Sequence, residues 1–276
     1  MGLKGEFVMK IGKIVLSLIV LALGVGFHGA ALAARSYEDI KESGILRVGT
    51  EGTYKPFTYH DEQDKLVGYD VEVAAAVAEK MGLKVEFSEI TWEGLLMSLD
   101  NGTIDAVFNQ VGLTAERLMK YDFSVPYLYS YIALIIQKEN KAISSWESAR
   151  GSRTSLNVSS NYALIAEKYG MKITASDTFH KDIGLLLDGR VDVVINNTIA
   201  FNDYIQTKPD VPIHIVDVLP EADTVAVPLC KGNTELLNAM NGAFKEIQED
   251  GTLSRISEKY LGEDFSHELS LDEVRK

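Results

Sequence analysis

The side chain of Arg117 could carry specific recognition chemistry. A guanidinium matches a carboxylate with two parallel, charge-assisted hydrogen bonds. Ser159 and Ser160 precede a predicted helix, and the free backbone N–H groups at a helix start bind anions, with a hydroxyl as a further donor. These residues therefore predict a site for an acidic group. The alternatives are a surface arginine in a helix beginning at Thr114, and simple capping by Ser160 or Asn161.

Two aromatic residues, Tyr54 and Trp92, could form the walls of a site. Flat rings pack a side chain at little entropic cost and can face a cation. The alternative for Trp92 is packing in the first turn of a helix, because Leu95, Leu96 and Leu99 follow it at helical spacing. We expect no metal site and no cofactor, because the five histidines show no metal-ligand spacing. They are His28, His60, His180, His214 and His267.

An internal repeat predicts the elements that position these residues. Residues 98–110 match residues 185–197 without a gap, at a constant offset of 87. Each copy reads as a helix end, a glycine that can take the left-handed conformation (Gly102 or Gly189) and a short buried strand. The strands are predicted at residues 104–108 and 191–195. The repeat therefore predicts two similar α/β lobes.

Polar pairs follow both repeat strands, Asn109 with Gln110 and Asn196 with Asn197. Ligands of open α/β sheets sit beyond the carboxyl ends of strands, so two facing lobes would bring both pairs into one cleft. Further strands are predicted at 46–49, 84–87 and 172–174. Helices are predicted at 70–81, capped by Asp70, and at 161–169 and 235–249.

The first 33 residues have the pattern of a signal peptide. Lys4, Lys10 and Lys13 precede an apolar run at 14–27, and small residues predict cleavage after Ala33. The alternative is a retained anchor, but the run is shorter than the ~20 residues that span a bilayer. The single cysteine, Cys230, leaves no internal disulfide and no lipid-modified cysteine at the cleavage site. We therefore expect a secreted, periplasmic protein.

The charge of the chain argues against some partners. The formal net charge is −13, and removal of a segment of net charge +2 would make it −15. Such a charge disfavours nucleic acid and anionic membrane surfaces as partners. Hydrophobic residues make up 46% of the chain, enough for a packed core.

Several segments resemble one known family in matching order: residues 45–57, 66–70, 105–117, 121–127 and 250–262. Together they resemble the periplasmic amino-acid-binding proteins of ABC importers, the family 3 solute-binding proteins, over residues 45–264. The resemblance implies an α/β, two-lobed periplasmic-binding-protein-like fold, each lobe a mixed sheet flanked by helices.

The resemblance also implies how the chain is divided. Lobe 1 would comprise residues 36–129 plus 226–264, lobe 2 residues 130–225, and a C-terminal tail residues 265–276. Two hinge crossings would lie near residues 128–133 and 223–227, and hinge bending would close the lobes on the ligand.

The resemblance assigns the acidic group and the aromatic walls. Arg117 would bind the α-carboxylate of an amino acid from lobe 1. Ser159 and Ser160 would contact the same carboxylate from lobe 2. Tyr54 and Trp92 would sandwich the ligand side chain. No catalytic residue is implied.

The amino group of the ligand raises a departure from the family. Asn109, Gln110 and Gly112 occupy positions that surround this group in the family. Asn197 stands where the family usually has an aspartate that pairs with the α-ammonium. Either Glu51 supplies the missing charge together with Asn197, or the ligand is not a standard α-amino acid.

Import of a free amino acid is the function that the resemblance implies, with a membrane permease as partner and a monomeric chain. Residues 51–54, 109–111 and 160–162 resemble the cystine-binding branch of the family. The ligand would therefore be cystine or another polar amino acid. The first alternative is an enzyme on the same scaffold, similar to cyclohexadienyl or arogenate dehydratases, with Glu51 as a general acid. The second is a sensor that docks to a receptor.

Overall fold

A computed structural model describes residues 34–268. The predicted signal peptide and its cleavage site at residues 1–33 lie outside the described residues, as do residues 269–276 of the predicted tail. Within residues 34–268, no helix has the length and apolar character needed to cross a membrane.

Helices and strands alternate along most of the described chain. The helices are α1 (Tyr37–Ser43), α2 (Tyr69–Lys80), α3 (Trp92–Asp100), α4 (Ala115–Lys120), α5 (Asn161–Lys168), α6 (Phe179–Leu187), α7 (Thr198–Thr207), α8 (Thr234–Glu249) and α9 (Thr252–Leu261). The strands are β1 (Ile45–Thr50), β2 (Thr53–Tyr54), β3 (Thr58–His60), β4 (Leu66–Val67), β5 (Lys84–Glu89), β6 (Ala106–Val107), β7 (Tyr121–Phe123), β8 (Leu128–Gln137), β9 (Arg153–Leu156), β10 (Lys172–Ala175), β11 (Val193–Asn197), β12 (Ile213–Val225) and β13 (Pro228–Cys230).

The strands form two five-stranded mixed sheets, which define two lobes. The order is β5-β1-β6-β13-β7 in lobe 1 and β10-β9-β11-β8-β12 in lobe 2. In each sheet the first three strands run parallel and the last two pairings are antiparallel. A small antiparallel sheet, β2-β3-β4, follows β1. The predicted α/β architecture with two mixed sheets is confirmed.

The chain passes between the sheets twice. It leaves the lobe 1 sheet after Phe123 and enters the lobe 2 sheet at Leu128. It returns between Val225, the end of β12, and Pro228, the start of β13. At the crossing, β8 and β12 pair antiparallel, with Leu128 opposite Val225. The first sheet therefore contains strands that lie on both sides of the second sheet in sequence.

The internal repeat is visible as a duplicated ion pair. In lobe 1, the Arg47 guanidinium donates to the Asp105 carboxylate at 2.7 Å and to the Gly102 carbonyl at 2.8 Å. In lobe 2, Arg153 donates to Asp192 at 2.7 Å and to the Gly189 carbonyl at 3.0 Å. Gly102 and Gly189 both have positive φ, 71° and 68°, as the repeat predicts. The two copies therefore share side-chain contacts as well as backbone geometry.

The first repeat strand is shorter than predicted. Only Ala106–Val107 forms regular ladder, although Ile104 and Phe108 are buried as expected. Single hydrogen bonds extend the pairing on both sides, from the Asp105 N–H to the Arg47 carbonyl and from the Phe108 N–H to the Gly49 carbonyl. The predicted segment therefore follows β1 along most of its length.

The expected cap of α2 is wrong. The N-cap is Gly68, whose φ of 133° suits glycine, and Asp70 lies inside the first turn. The Asp70 side chain is fully buried and accepts hydrogen bonds from residues outside the helix. The Asp70 carboxylate thus accepts from the Gln110 N–H and the Tyr127 hydroxyl instead of capping the first turn of α2.

Candidate functional site

A cavity of about 650 Å³, part of it open to solvent, lies between the carboxyl ends of the two sheets. Six of the ten predicted ligand contacts line it: Glu51, Tyr54, Trp92, Asn109, Gln110 and Ser160. Arg117 and Ser159 line an adjoining cleft, which shares Trp92, Ser160 and Asn161 with the cavity. Gly112 and Asn197 are buried and line neither space. The structure therefore brings most of the predicted residues together.

Arg117 lies between the lobes. Its side chain is mostly buried, with the residue 7% exposed, and its guanidinium carbon lies 5.2 Å from the centre of a Trp92 ring. Nη1 donates to the Gly112 carbonyl at 2.9 Å, and Nη2 donates to the Ser159 carbonyl across the cleft at 3.2 Å. Burial lowers the pKa of Arg117, and the charge of Asp223 opposes that shift. The guanidinium is thus held in place by backbone oxygens and keeps its charge.

The N-terminus of α5 faces the same region. Ser160 is the N-cap residue, but its hydroxyl makes no capping bond and donates instead to the Asn157 carbonyl at 2.7 Å. The Ser159 hydroxyl donates to the side chain of Asn157 at 2.9 Å. Because no side chain caps α5, its first N–H groups remain available to an anion.

Glu51 and Asn109 form a reciprocal pair beyond the ends of β1 and β6. The Glu51 N–H donates to Asn109 Oδ1 at 2.8 Å, and Asn109 Nδ2 donates to Glu51 Oε2 at 2.6 Å. Burial raises the pKa of Glu51, while the Asn109 hydrogen bond opposes the shift. This pair fixes an acidic group on the lobe 1 wall of the cavity.

Gln110 is a second residue of the lobe 1 wall of the cavity, and Asp70 fixes its position. Its φ of 52° is held by Asp70, which accepts from the Gln110 N–H and from Nε2, both at 2.9 Å. Tyr127 donates to the same carboxylate at 2.9 Å, and burial raises the pKa of Asp70 to about 7. Gln110 is 9% exposed, and its Oε1 has no hydrogen-bond partner among residues 34–268. The sequence did not reveal Asp70 as the residue that positions Gln110.

Tyr54 connects the lobes. Its hydroxyl donates to Asn196 Oδ1 at 2.7 Å and accepts from Asn197 Nδ2 at 3.0 Å. Asn197 Oδ1 accepts from the Ala200 N–H at 2.7 Å and so caps α7. Both ends of the Asn197 amide are therefore occupied, whereas Asn196 lines the cavity.

The lobe 2 wall contains residues that the sequence analysis missed. Phe179 begins α6 as Trp92 begins α3, and the two lie 87 residues apart, which is the offset of the repeat. Extending the repeat ten residues upstream of Gly189 would have found it. The other missed residues of the cavity include Asn161, Tyr162, Asp177, Thr178 and Asp182.

Asp223, near the end of β12 at the second predicted crossing, is another buried acid close to Arg117. Its Oδ1 accepts from Asn161 Nδ2 at 3.3 Å, and a Cβ placed on Gly112 would lie 3.0 Å from it. Loss of water around the carboxyl group raises the pKa of Asp223 to about 6, and the Arg117 charge opposes the shift. Among residues 34–268, no group of three or more His, Cys, Asp and Glu side chains could hold a metal ion.

Several contacts join the two walls of the cleft directly. They are the hydrogen bonds of Tyr54 with Asn196 and Asn197, of Arg117 with Ser159 and of Asn157 with Glu93, and the 3.6 Å ion pair of Lys55 with Asp203. The lobes are therefore closed on each other.

Two facing lobes that enclose a polar cavity define the class of two-lobed solute-binding proteins. The model of the bacterial extracellular solute-binding proteins, family 3, matches residues 46–263, and the chain belongs to this family. The chain is 40% identical over 231 residues to the L-cystine-binding protein TcyA of Bacillus subtilis (strain 168), covering 83% of this chain and 86% of the relative.

Two solved structures agree with this membership. An ancestral arginine-binding protein bound to glutamine is 36% identical, with a TM-score of 0.75 over 80% of this chain and 99% of that one. The L-cystine solute receptor of Neisseria gonorrhoeae, unliganded and open, is 37% identical, with a TM-score of 0.60 over 84% and 99%. At nearly equal identity, the chain superposes better on the ligand-bound structure, in keeping with its closed lobes.

Proposed function

We propose that this protein captures a free amino acid, cystine or another polar amino acid, in the cleft and presents it to the membrane permease of an ABC importer. The observation that carries the proposal is the Arg117 guanidinium, 5.2 Å from the centre of a Trp92 ring and bonded to Ser159 beside the uncapped N-terminus of α5. The α-carboxylate would bind the guanidinium and the first N–H groups of α5.

The α-ammonium would bind on the lobe 1 wall. Glu51 and Gln110 both line the cavity, where Glu51 offers a carboxylate and Gln110 a buried Oε1 that has no partner among residues 34–268. These two acceptors replace the aspartate that the family usually has at position 197, since the Asn197 amide is engaged with Tyr54 and α7. Tyr54 and Trp92 would enclose the first part of the ligand side chain.

We propose that the lobes, residues 36–129 plus 226–264 and residues 130–225, move about the β8–β12 crossing as the ligand enters. The contacts across the cleft would form only in the closed state. A permease could then distinguish loaded from empty protein by the relative position of the lobes. We place the protein in the periplasm as a monomer, after removal of residues 1–33.

We propose binding without turnover. A dehydratase would need a general acid poised over a leaving group, and Glu51 would be the candidate. Asn109 Nδ2 donates to one oxygen of Glu51. The arrangement of charged and polar groups in the site favours binding of a zwitterion over reaction with it. Incubation of purified protein with prephenate or arogenate should leave both unchanged by chromatography, and product formation would favour the enzyme.

A thermal-shift screen against free amino acids tests the binding proposal. A ligand at 100 times its Kd adds about 2.7 kcal/mol of stability, which for a chain of this size raises Tm by roughly 5–10 °C. Arg117→Ala should abolish the shift, whereas Arg190→Ala, which removes an exposed arginine outside the site, should retain it. A full shift with Arg117→Ala, or stabilisation of the wild type by no amino acid, would contradict the proposal.

A further inference from the structure

The lobe 2 wall of the cavity holds a buried acid that the α-amino and α-carboxyl groups would not use. Asp182 lies in the first half of α6, is 5% exposed and lines the cavity. Arg117 lines the adjoining cleft, the N-terminus of α5 lines both spaces, and Glu51 follows β1 of lobe 1. Asp182 is therefore a separate acidic position in the ligand space.

Two hydroxyl groups support the Asp182 carboxyl group. The hydroxyls of Ser155 and Ser176 interact with it and favour its ionised form, but burial outweighs them and raises the pKa of Asp182 to about 7. Within the described part of the chain, none of these contacts is a hydrogen bond of good geometry. A buried acid with such weak support is costly unless a ligand completes its contacts.

The repeat shows that the fold does not require an acid here. With the offset of 87, Asp182 corresponds to Leu95 of α3, which is buried in the lobe 1 core. Leu99 and Leu186, one helical turn further on, are buried leucines in both copies. Lobe 2 therefore departs from the repeat at the position that faces the cavity.

The charges of the cavity point to the sign of the missing partner. Glu51, Asp177 and Asp182 are acidic, and no lysine or arginine of the described chain lines this cavity. The nearest cation in sequence, Lys181, is paired with Asp177 at 2.9 Å. Leu156, Phe179 and Ile195 supply apolar surface on the same wall, suited to the methylene or sulfur atoms of a long side chain.

We propose that the ligand carries a second cationic group on its side chain, an ammonium or a guanidinium, and that Asp182 binds it while the Ser155 and Ser176 hydroxyls support the carboxylate from behind. This proposal rests on the proposed function. It narrows the ligand to amino acids with a distal cation, which includes basic amino acids and the second ammonium of cystine. A neutral polar amino acid would leave Asp182 without a partner.

Isothermal titration calorimetry with two classes of probe tests the proposal. L-cystine, L-lysine and L-arginine carry a distal cation, whereas L-glutamine and L-norleucine do not. The wild type should bind at least one member of the first class more tightly than both members of the second. Tightest binding of L-lysine or L-arginine would assign a basic amino acid, and tightest binding of L-cystine would assign the double-headed one.

Variants at position 182 separate recognition from folding. Asp182→Asn should weaken the tightest distal-cation ligand about tenfold to hundredfold and change binding of L-glutamine less than threefold. Asp182→Leu introduces the residue type that the repeat has at Leu95. Like Asp182→Asn, it should weaken distal-cation ligands selectively, and its circular dichroism spectrum should match that of the wild type. Asp188→Asn, which removes an exposed charge just after the same helix, should change neither class.

Equal weakening of both classes by Asp182→Asn, or preference of the wild type for neutral probes, would overturn the assignment. Failure of the underlying function has a different signature. In that case no amino acid of either class would bind, and Arg117→Ala would be indistinguishable from the wild type.

Discussion

Single residues in this site act through their hydrogen-bond partners. Gln110 presents Oε1 only because Asp70 holds both its backbone N–H and its Nε2. The replacement of the family's usual aspartate by Asn197 has a comparable explanation. An asparagine can donate to the Tyr54 hydroxyl while its oxygen caps α7, and a carboxylate could not make that donation. In the closed structure the Asn197 side chain therefore joins lobe 2 to Tyr54 of lobe 1, and the proposed site assigns recognition of the ligand's ammonium charge to Glu51.

Removal of the Tyr54 hydroxyl should weaken closure. Tyr54→Phe loses a donation to Asn196 and an acceptance from Asn197, which together link the lobes. Because hydrogen bonds contribute about 0.5–1.5 kcal/mol each, we expect affinity for the tightest amino acid to fall roughly fivefold to 150-fold in calorimetry.

The matched control for this prediction is Tyr59→Phe, which removes a hydroxyl from β3 outside the cavity and should leave affinity unchanged. Stability of the ligand-free Tyr54→Phe protein should change little, since its core contacts with Phe57 remain. Unchanged affinity in Tyr54→Phe would show that the hydroxyl contacts do not contribute to the bound state.

At the scale of elements, the repeat carried most of what could be predicted. The offset of 87 placed a helix, a left-handed glycine and a buried strand in both lobes, and all are present. The antiparallel strands β8, β12 and β13 could not be placed in the sheets from the residues alone, because their pairings are long-range and leave no local pattern. Only the resemblance located the crossings.

The residues missed in the site have a common physical reason. Asp182 is a charged residue in a helix, and such residues are usually exposed, so the sequence gives no sign of its burial. Asp70 lies two residues after Gly68, near a helix start, where capping is the usual role of aspartate. In both cases tertiary burial, which local sequence does not record, decided the partners.

The duplicated ion pair should differ in strength between the lobes. Asp105 is 5% exposed and is bound by both Arg35 and Arg47, whereas Asp192 and Arg153 are partly exposed to solvent. Loss of one partner of a buried pair costs about 3–5 kcal/mol, against ~1 kcal/mol or less for an exposed pair. We expect Asp105→Asn to lower the free energy of unfolding by about 3 kcal/mol and Asp192→Asn by under about 1 kcal/mol.

Urea denaturation followed by circular dichroism measures both variants, each against the wild type without added ligand. The two substitutions are chemically identical and occupy equivalent repeat positions, so each is the control for the other. Equal losses would mean that burial does not set the difference between the lobes.

In the molecule as a whole, burial opposes the ionisation of several acids at neutral pH. The pKa values of Asp70 and Asp182 are both raised to about 7 by burial, and that of Asp223 is raised to about 6. Other acids have lowered pKa values, among them Asp105, where burial is outweighed by hydrogen bonds from Arg35 and Arg47, and Asp192, which is bound by Arg153. The acids with raised pKa values affect the free energy of unfolding above about pH 4, and the acids with lowered pKa values affect it below about pH 4.

The sign of the pH dependence follows from these directions. An unfolded aspartate has a pKa near 3.9, so between about pH 4 and 7 the folded chain retains protons that the unfolded chain releases. The free energy of unfolding should therefore fall as pH rises through that window. As the pH decreases below about 4, the free energy of unfolding should also decrease, because the Asp105 and Asp192 carboxylates become protonated and lose their ion pairs. Maximum stability is expected near pH 4, well below neutrality.

Urea midpoints between pH 4 and 8, without ligand, test this profile, and Asp182→Asn tests its origin. The asparagine cannot ionise, so the variant should lose about 2 kcal/mol less stability than the wild type between pH 5 and 8. Asp188→Asn removes an exposed carboxyl and should follow the wild-type profile. A flat wild-type profile, or an Asp182→Asn profile as steep as the wild type, would mean that Asp182 is not protonated in the folded protein near neutral pH. Because a bound cation would lower the pKa of Asp182, the same experiment at saturating ligand should give a shallower profile for the wild type than for the ligand-free protein.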